Sequence, residues 1–232
     1  MKLGLLGDIH GNYLALQAVL AAASSSDVEK LLITGDLIGY YYAPLQVLEL
    51  LQTWDGYMVR GNHEEMLTLA RSDPAFLALV DKRYGSGLRI AIEQLDTQQI
   101  DDLCNMPHPL ELTIDGCKIL LCHGAPWDIN RYIYPDAQLA LLHKCAKQEF
   151  DLVVLGHTHY PMQQMIGKTL IVNPGSVGQP RNRKPGAQWA LFDTESREVT
   201  LHREAYKTQF VVDESRYRHP DIPYLAEVLE RT

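Results

Sequence analysis

Five short segments of the chain combine aspartate, asparagine and histidine next to glycine: Gly7-Asp8-Ile9-His10, Gly35-Asp36, Gly61-Asn62-His63-Glu64, His123-Gly124 and Gly156-His157-Thr158-His159. Oxygen and imidazole donors without thiolate suit divalent manganese, iron or zinc, and argue against a structural zinc site built on cysteine. In Asp8-Ile9-His10 and His157-Thr158-His159, alternate residues of an extended chain project to one side, so each pair can offer two ligands in one direction. Each segment alone has a plainer explanation. An aspartate after a strand caps the next helix, Asn62 stabilises a turn, His63 caps a helix and His123 packs in a core. Two histidines flanking one residue after an apolar run, as at 157 and 159, are seldom placed for packing. Five of the nine histidines fall in these segments, and the conjunction points to one shared site.

The elements that must position them follow from hydrophobic patterning. Leu3 to Leu6, Leu31 to Thr34 and Tyr57 to Arg60 are short apolar strands, the first two followed by polar loops and helical patterns around Leu14 to Leu20 and Pro44 to Gln52. Strand, loop and helix in repetition predict parallel βαβ units, whose ligands bind beyond the carboxyl ends of the strands. Residues 64–106 read as a helical insert placed to cap those loop ends. Leu110, Leu112 and Ile114, the turn Asp115-Gly116 and Lys118 to Cys122 predict a hairpin. Ala137 to Lys147 reads as helix and Leu152 to Leu155 as a buried strand. Leu170 to Val172, Trp189 to Phe192 and Val199 to Leu201 read as antiparallel strands, and Pro223 to Arg231 as a closing helix. No repeat or linker divides residues 1–232, so one domain with a C-terminal extension over 205–232 is expected.

In order and spacing, the five segments resemble the calcineurin-like metallophosphoesterase superfamily, and the match runs from residue 1 to about 180. The resemblance implies an α/β fold, a four-layer αββα sandwich of two mixed sheets with a dinuclear metal site at the strand ends. By motif, Asp8, His10 and His159 would hold the first ion, Asn62, His123 and His157 the second, and Asp36 would bridge them. His63 would act near the leaving group without binding metal, with Glu64 orienting it. Two divalent ions about 3.5–4 Å apart ease attack on a phosphate ester by lowering the pKa of a bridging water, clamping oxygens and neutralising charge. A protonated His63 would serve as general acid.

The substrate is less constrained. Serine/threonine protein phosphatases carry Asp-Arg-Gly after this Gly-Asp, where the chain has Leu37-Ile38-Gly39-Tyr40. The closer resemblance is to compact prokaryotic-type phosphodiesterases and phosphatases, which share Asn173-Pro174-Gly175-Ser176 and often have Gly-Tyr-Gly after the aspartate. Here Tyr41 replaces the last glycine, at a place to crowd or stack on substrate. Arg60 adjoins a motif, and Arg181 opens the densest basic run; both are candidate phosphate contacts. A phosphodiesterase or phosphomonoesterase acting on a small phosphoester or nucleotide-like substrate is the leading expectation. The alternative is a protein-binding scaffold of the same fold, which would be expected to lose a ligand or the acid; here none is missing.

Composition bounds these readings. At 232 residues, 46% hydrophobic and 22% charged, the chain can bury a core unaided. The formal charge of -8 disfavours nucleases on long polyanions and anionic membrane surfaces. Two divalent cations against Asp8 and Asp36 would still make the site locally positive. The four cysteines lack paired spacing and are expected reduced, and no apolar run spans a membrane, so a cytoplasmic protein is expected. Residues 206–232 are a candidate contact for a homo-oligomer.

Overall fold

The computed structural model describes residues 1–146 and 149–232. Two five-stranded mixed sheets pack face to face. The first is ordered β10-β9-β1-β2-β3, with β1 Lys2–Leu6, β2 Lys30–Ile33, β3 Gly56–Met58, β9 Ala187–Asp193 and β10 Val199–Glu204. The second is ordered β4-β5-β6-β8-β7, with β4 Leu110–Ile114, β5 Cys117–Leu121, β6 Leu152–Val154, β7 Met162–Ile166 and β8 Thr169–Asn173. The motif-bearing strands pair in parallel, β1 with β2, β2 with β3 and β5 with β6, so their carboxyl ends lie along one edge. The hairpin β4/β5 and the late pairs β1/β9, β9/β10 and β7/β8 are antiparallel.

Burial of both faces explains the unbroken apolar runs of β1, β2 and β6. Between the sheets, Leu3, Leu5 and Leu32 meet Ile119, Leu121, Leu152, Val154 and Phe192. On the outer face of the first sheet, Leu31 and Ile33 pack with α1 (Tyr13–Ser25), α2 (Pro44–Leu51) and the run α3 (Asn62–Ala70), α4 (Pro74–Tyr84), α5 (Gly87–Gln94) and α6 (Thr97–Asn105). On the outer face of the second, Leu120, Val153 and Ile171 meet Leu142 and Cys145 of α7 (Leu139–Ala146). The four layers are those the resemblance implied. All four cysteines are free and buried. Among the described residues, no helix is long and apolar enough to cross a membrane.

Several boundaries differ from the sequence reading. Helix α7 starts at Leu139 rather than Ala137, and Lys147 lies outside the described residues. Strand β7 carried no signal because it is an edge strand with only Met162 and Ile166 buried. Helix α8 (Thr208–Arg218) went unread because only Val211, Val212 and Ser215 of it are buried. With α9 (Tyr224–Glu230) it packs on Tyr40, Tyr41 and Tyr42, so the C-terminal residues wall one side of the loop ends. Most of the 64–106 segment packs within itself and, through α5, against α2 on the outer face of the first sheet; of that segment, Arg83 and Tyr84 reach the cavity at the strand ends.

Candidate metal centre

The loops after β1, β2, β5 and β6 are laced to one another. Backbone N–H groups of Asp8, His10 and Gly11 donate to the carbonyls of Gly35, Asp36 and Leu37, and that of Gly156 donates to His123. This lacing holds unusual backbone. Asp8 (φ 53°), His10 (52°), Asp36 (53°), His157 (66°) and His159 (61°) all sit in the left-handed region. Non-glycine residues there store about 1–3 kcal/mol each and persist where neighbours over-determine them, which is typical of functional sites. Asn173-Pro174-Gly175-Ser176 contributes directly: Asn173 donates to the Gly156 carbonyl at 2.7 Å, and Ser176 Oγ to the Asp8 carbonyl at 2.7 Å.

Seven side chains expected as ligands converge, all but Asn62 fully or nearly buried. Donor atoms of Asp8, His10 and His159 lie within 4.8 Å of one another, and so do those of Asp36, His123 and His157. The hydrogen bonds set the tautomers. Nδ1 of His10 lies 3.2 Å from the Ile38 carbonyl and Nδ1 of His159 lies 2.6 Å from the Gln179 carbonyl, so each Nδ1 carries the proton. Their two Nε2 atoms then face each other bare, 3.2 Å apart. The second pair repeats this: His123 donates from Nδ1 to the Thr34 carbonyl at 2.8 Å, and His157 from Nε2 to the Asn130 carbonyl at 3.3 Å. His123 Nε2 and His157 Nδ1 are left facing at 3.0 Å, with Asn62 Oδ1 2.9 Å from the former.

Facing lone pairs repel, and a cation between them removes the repulsion; backbone carbonyls orienting the remote nitrogen are the usual second support of a metal-binding imidazole. Oδ2 of Asp36 lies 3.6 Å from His10 Nε2 and 3.5 Å from His123 Nε2, so one oxygen faces both groups. Burial, reinforced by neighbouring histidines, holds His10, His123 and His159 far below the usual imidazole range, and burial brings His157 to about 4. Neutral imidazole is the ligating form. Burial pushes Asp8 up to about 8 and Asp36 well above the carboxylate range, a penalty that divalent cations reverse. The residues present fit two such ions.

A cavity of about 280 Å³ opens over this cluster. Asp36, Asn62, His63, His157 and His159 form its floor, and Tyr40, Tyr84, Tyr132, Tyr224, Arg83 and Arg181 its walls. His63 is the second residue of α3, whose N-terminus faces the β2 loop; its own N–H donates to Asp36 Oδ1 at 2.8 Å. Among the described residues its ring makes no hydrogen bond, and burial followed by the Arg181 charge lowers its pKa to about 3. Gly39 (φ 91°) is required beside it, because a Cβ there would stand 2.0 Å from His63 Nδ1.

The structure reassigns three of the expected residues. Glu64 does not orient His63. Its carboxylate accepts from the amides of Asp36, Leu37, Ile38 and Gly61 at 2.8–3.4 Å and so ties the β2 loop to the start of α3. Arg60 turns away from the cavity, donating to the Cys104 carbonyl and facing Glu65. Tyr41 is 1% exposed, with its hydroxyl on the Leu225 carbonyl; it is Tyr40 that lines the cavity. Arg181 is there as expected, donating to the Tyr40 hydroxyl at 3.1 Å. Within the run Tyr40-Tyr41-Tyr42, burial is nearly equal, so no pattern distinguishes the residue facing the site. Tyr84, Tyr132, Tyr224 and Arg83 belong to no motif and carried no signal.

This fold and donor set define a metallophosphoesterase, and the chain belongs to the calcineurin-like phosphoesterase superfamily, whose domain model matches residues 1–197. Among individual proteins, it is 27% identical to the uncharacterized protein MJ0912 of Methanocaldococcus jannaschii over 88% of this chain and 87% of that one. It is 25% identical to the phosphodiesterase YfcE of Escherichia coli over 84% and 89%. A solved metallophosphoesterase from Sphaerobacter thermophilus superposes with a TM-score of 0.80 at 25% identity, covering 100% of this chain and 98% of that one. The hypothetical protein PH1004 of Pyrococcus horikoshii shares the fold at a TM-score of 0.85, over 98% and 97%, with 23% identity.

Proposed function

We propose that the chain hydrolyses small phosphodiesters with two divalent cations, manganese, iron or zinc. Asp8, His10 and His159 would hold one, Asn62, His123 and His157 the other, and Asp36 both. The observation that carries this is the pair of facing, proton-free imidazole couples around Asp8 and Asp36. When bound, such ions supply Lewis acidity toward phosphoryl oxygens and make water a nucleophile near neutral pH.

The chain's own groups do the rest. Arg181 presents a guanidinium to the phosphate, and the N-terminus of α3 adds its amide dipoles. The tyrosine walls narrow the approach and limit water. Burial and the Arg181 charge bias His63 toward its neutral form; a bound anionic ester opposes both, and an imidazole without other partners can then pass its proton to the leaving oxygen. A diester is favoured over a monoester because open space continues on the far side of Arg181, leaving room for two ester arms. The phosphodiesterase YfcE is consistent with this choice. The net charge of -8 disfavours long nucleic acids.

The test is His63→Ala with an aryl diester and added manganese. Calorimetric cation binding is retained while kcat falls about 10²- to 10⁴-fold; equal rates refute the role of His63. Absence of turnover across aryl monoesters, aryl diesters, cyclic nucleotides, dinucleoside polyphosphates and a phosphopeptide refutes the hydrolase itself.

A further inference from the structure

A second cavity, about 650 Å³, lies beside the first and shares Arg181 and Tyr224 with it. Its other walls include Tyr134, Tyr160, Asp136 and Arg231. That volume is within the range of small-molecule sites, roughly 300–1,000 Å³. A stack of flat rings leads into it from the candidate ligands: His157 lies on Tyr132 with centroids 3.9 Å apart at 16°, and Tyr132 on Tyr134 at 5.5 Å and 11°. Tyr160 meets the edge of Tyr134 at 5.8 Å. Tyr132 is taken up by its two stacked neighbours, whereas Tyr134 stacks on it through one face, lines the cavity and remains 40% exposed, so part of its ring is open to a ligand.

Charge points the same way. Among the described residues, neither Arg181 nor Arg231 is ion-paired to a carboxylate; Arg231 lies over the Tyr224 ring at 5.0 Å. A phosphate seated at the first cavity and held by Arg181 would direct one ester arm past Tyr224 into a chamber walled by tyrosine rings, the Arg231 guanidinium and the Asp136 carboxylate. A planar heteroaromatic group gains most from such rings, by stacking, whereas a sugar or alkyl arm makes only weaker C–H contacts with them.

We propose that the chamber walled by Tyr134, Tyr160 and Tyr224 binds the nucleobase of a nucleotide phosphodiester, which makes that class the preferred substrate. This deepens the phosphodiesterase reading and rests on it. In the reaction a water oxygen bonds to phosphorus, the bond to one ester oxygen breaks, and that oxygen takes a proton; the base is untouched and serves only to orient the ester.

Calorimetric binding of AMP and of ribose 5-phosphate, which differ by the base alone, tests the chamber without turnover. Wild-type protein binds AMP about 5- to 100-fold more tightly. Tyr134→Ala reduces that ratio to within about two-fold, and Tyr134→Trp restores it. Equal affinity of the wild type for both probes, or an unchanged ratio in Tyr134→Ala, overturns the proposal even if aryl diesters are hydrolysed. A full base preference in a protein that cleaves no phosphoester would leave the chamber standing and refute the hydrolase.

Discussion

Asp36→Asn separates the metal-binding role of this site from its structural one. Burial pushes the Asp36 carboxyl toward its neutral form in the absence of cations, and a neutral amide of the same shape removes that burial penalty. The amide oxygen still accepts the His63 N–H, now at 2.8 Å. Its NH₂ group takes the place of Oδ2, 3.6 Å and 3.5 Å from the bare Nε2 atoms of His10 and His123, and donates to one of them after a shift of a few tenths of an ångström. A net gain of up to about 1 kcal/mol is expected from such bonds. At roughly 2–4 °C per kcal/mol for a chain of this size, the variant in EDTA melts level with the wild type or up to about 4 °C above it. With cation at 100 times its Kd, one occupied site adds about 2.7 kcal/mol to the wild type, a rise of about 5–11 °C. The amide lacks the negative charge facing both groups, so the variant loses most of that rise. Differential scanning calorimetry with EDTA and with manganese reads both quantities. A variant that melts more than about 4 °C low in EDTA, or that keeps the full cation-induced rise, refutes the assignment of Asp36.

Two further outcomes follow from contacts that hold loops and helices around the site. Glu64→Gln turns an NH₂ toward two of the four amides the carboxylate now satisfies, which costs about 2–5 kcal/mol and lowers both Tm and cation affinity; a Tm within 2 °C of wild type in EDTA counts against it. His219 accepts from the Ser86 N–H at 3.0 Å through Nε2, and burial followed by the Arg218 charge holds its pKa below 6.5, with Asp81 opposing. The unfolded chain therefore binds the extra proton below pH 6.5, so this docking of α8 on α5 is intact above 6.5 and weakens as pH falls. The slope of Tm against pH between about 5 and 6.5 is smaller in His219→Gln than in wild type, and identical slopes would exclude the contact as its source.

Legibility varied with the range of the signal. Strands β1, β2, β5 and β6 were readable because burial on both faces demands continuous apolar runs, and each ends in a glycine-linked polar pair. Strand β7 and helix α8 were not, since an edge strand and a mostly exposed helix need few apolar residues. At the site, the donor types of Asp8, His10, Asp36, Asn62, His123, His157 and His159 were legible and so was their place at strand ends. The roles of Glu64 and Arg60 were not: adjacency to a motif says nothing of whether a side chain turns to the cavity or to the backbone behind it.

What the amino-acid order alone determined is local: which runs become strands, where they stop, and which donors stand at the stops. Parallel register and loop lacing then decided that imidazole nitrogens from residues 10 and 159 meet at 3.2 Å, and those from 123 and 157 at 3.0 Å. Tertiary packing alone chose Tyr40 over Tyr41 for the cavity and brought Tyr84, Tyr132 and Tyr224 from distant segments to its walls. The reason is physical. Periodicity and capping act over a few residues, whereas the neighbours of a side chain across a cavity are set by how whole sheets and helices stack.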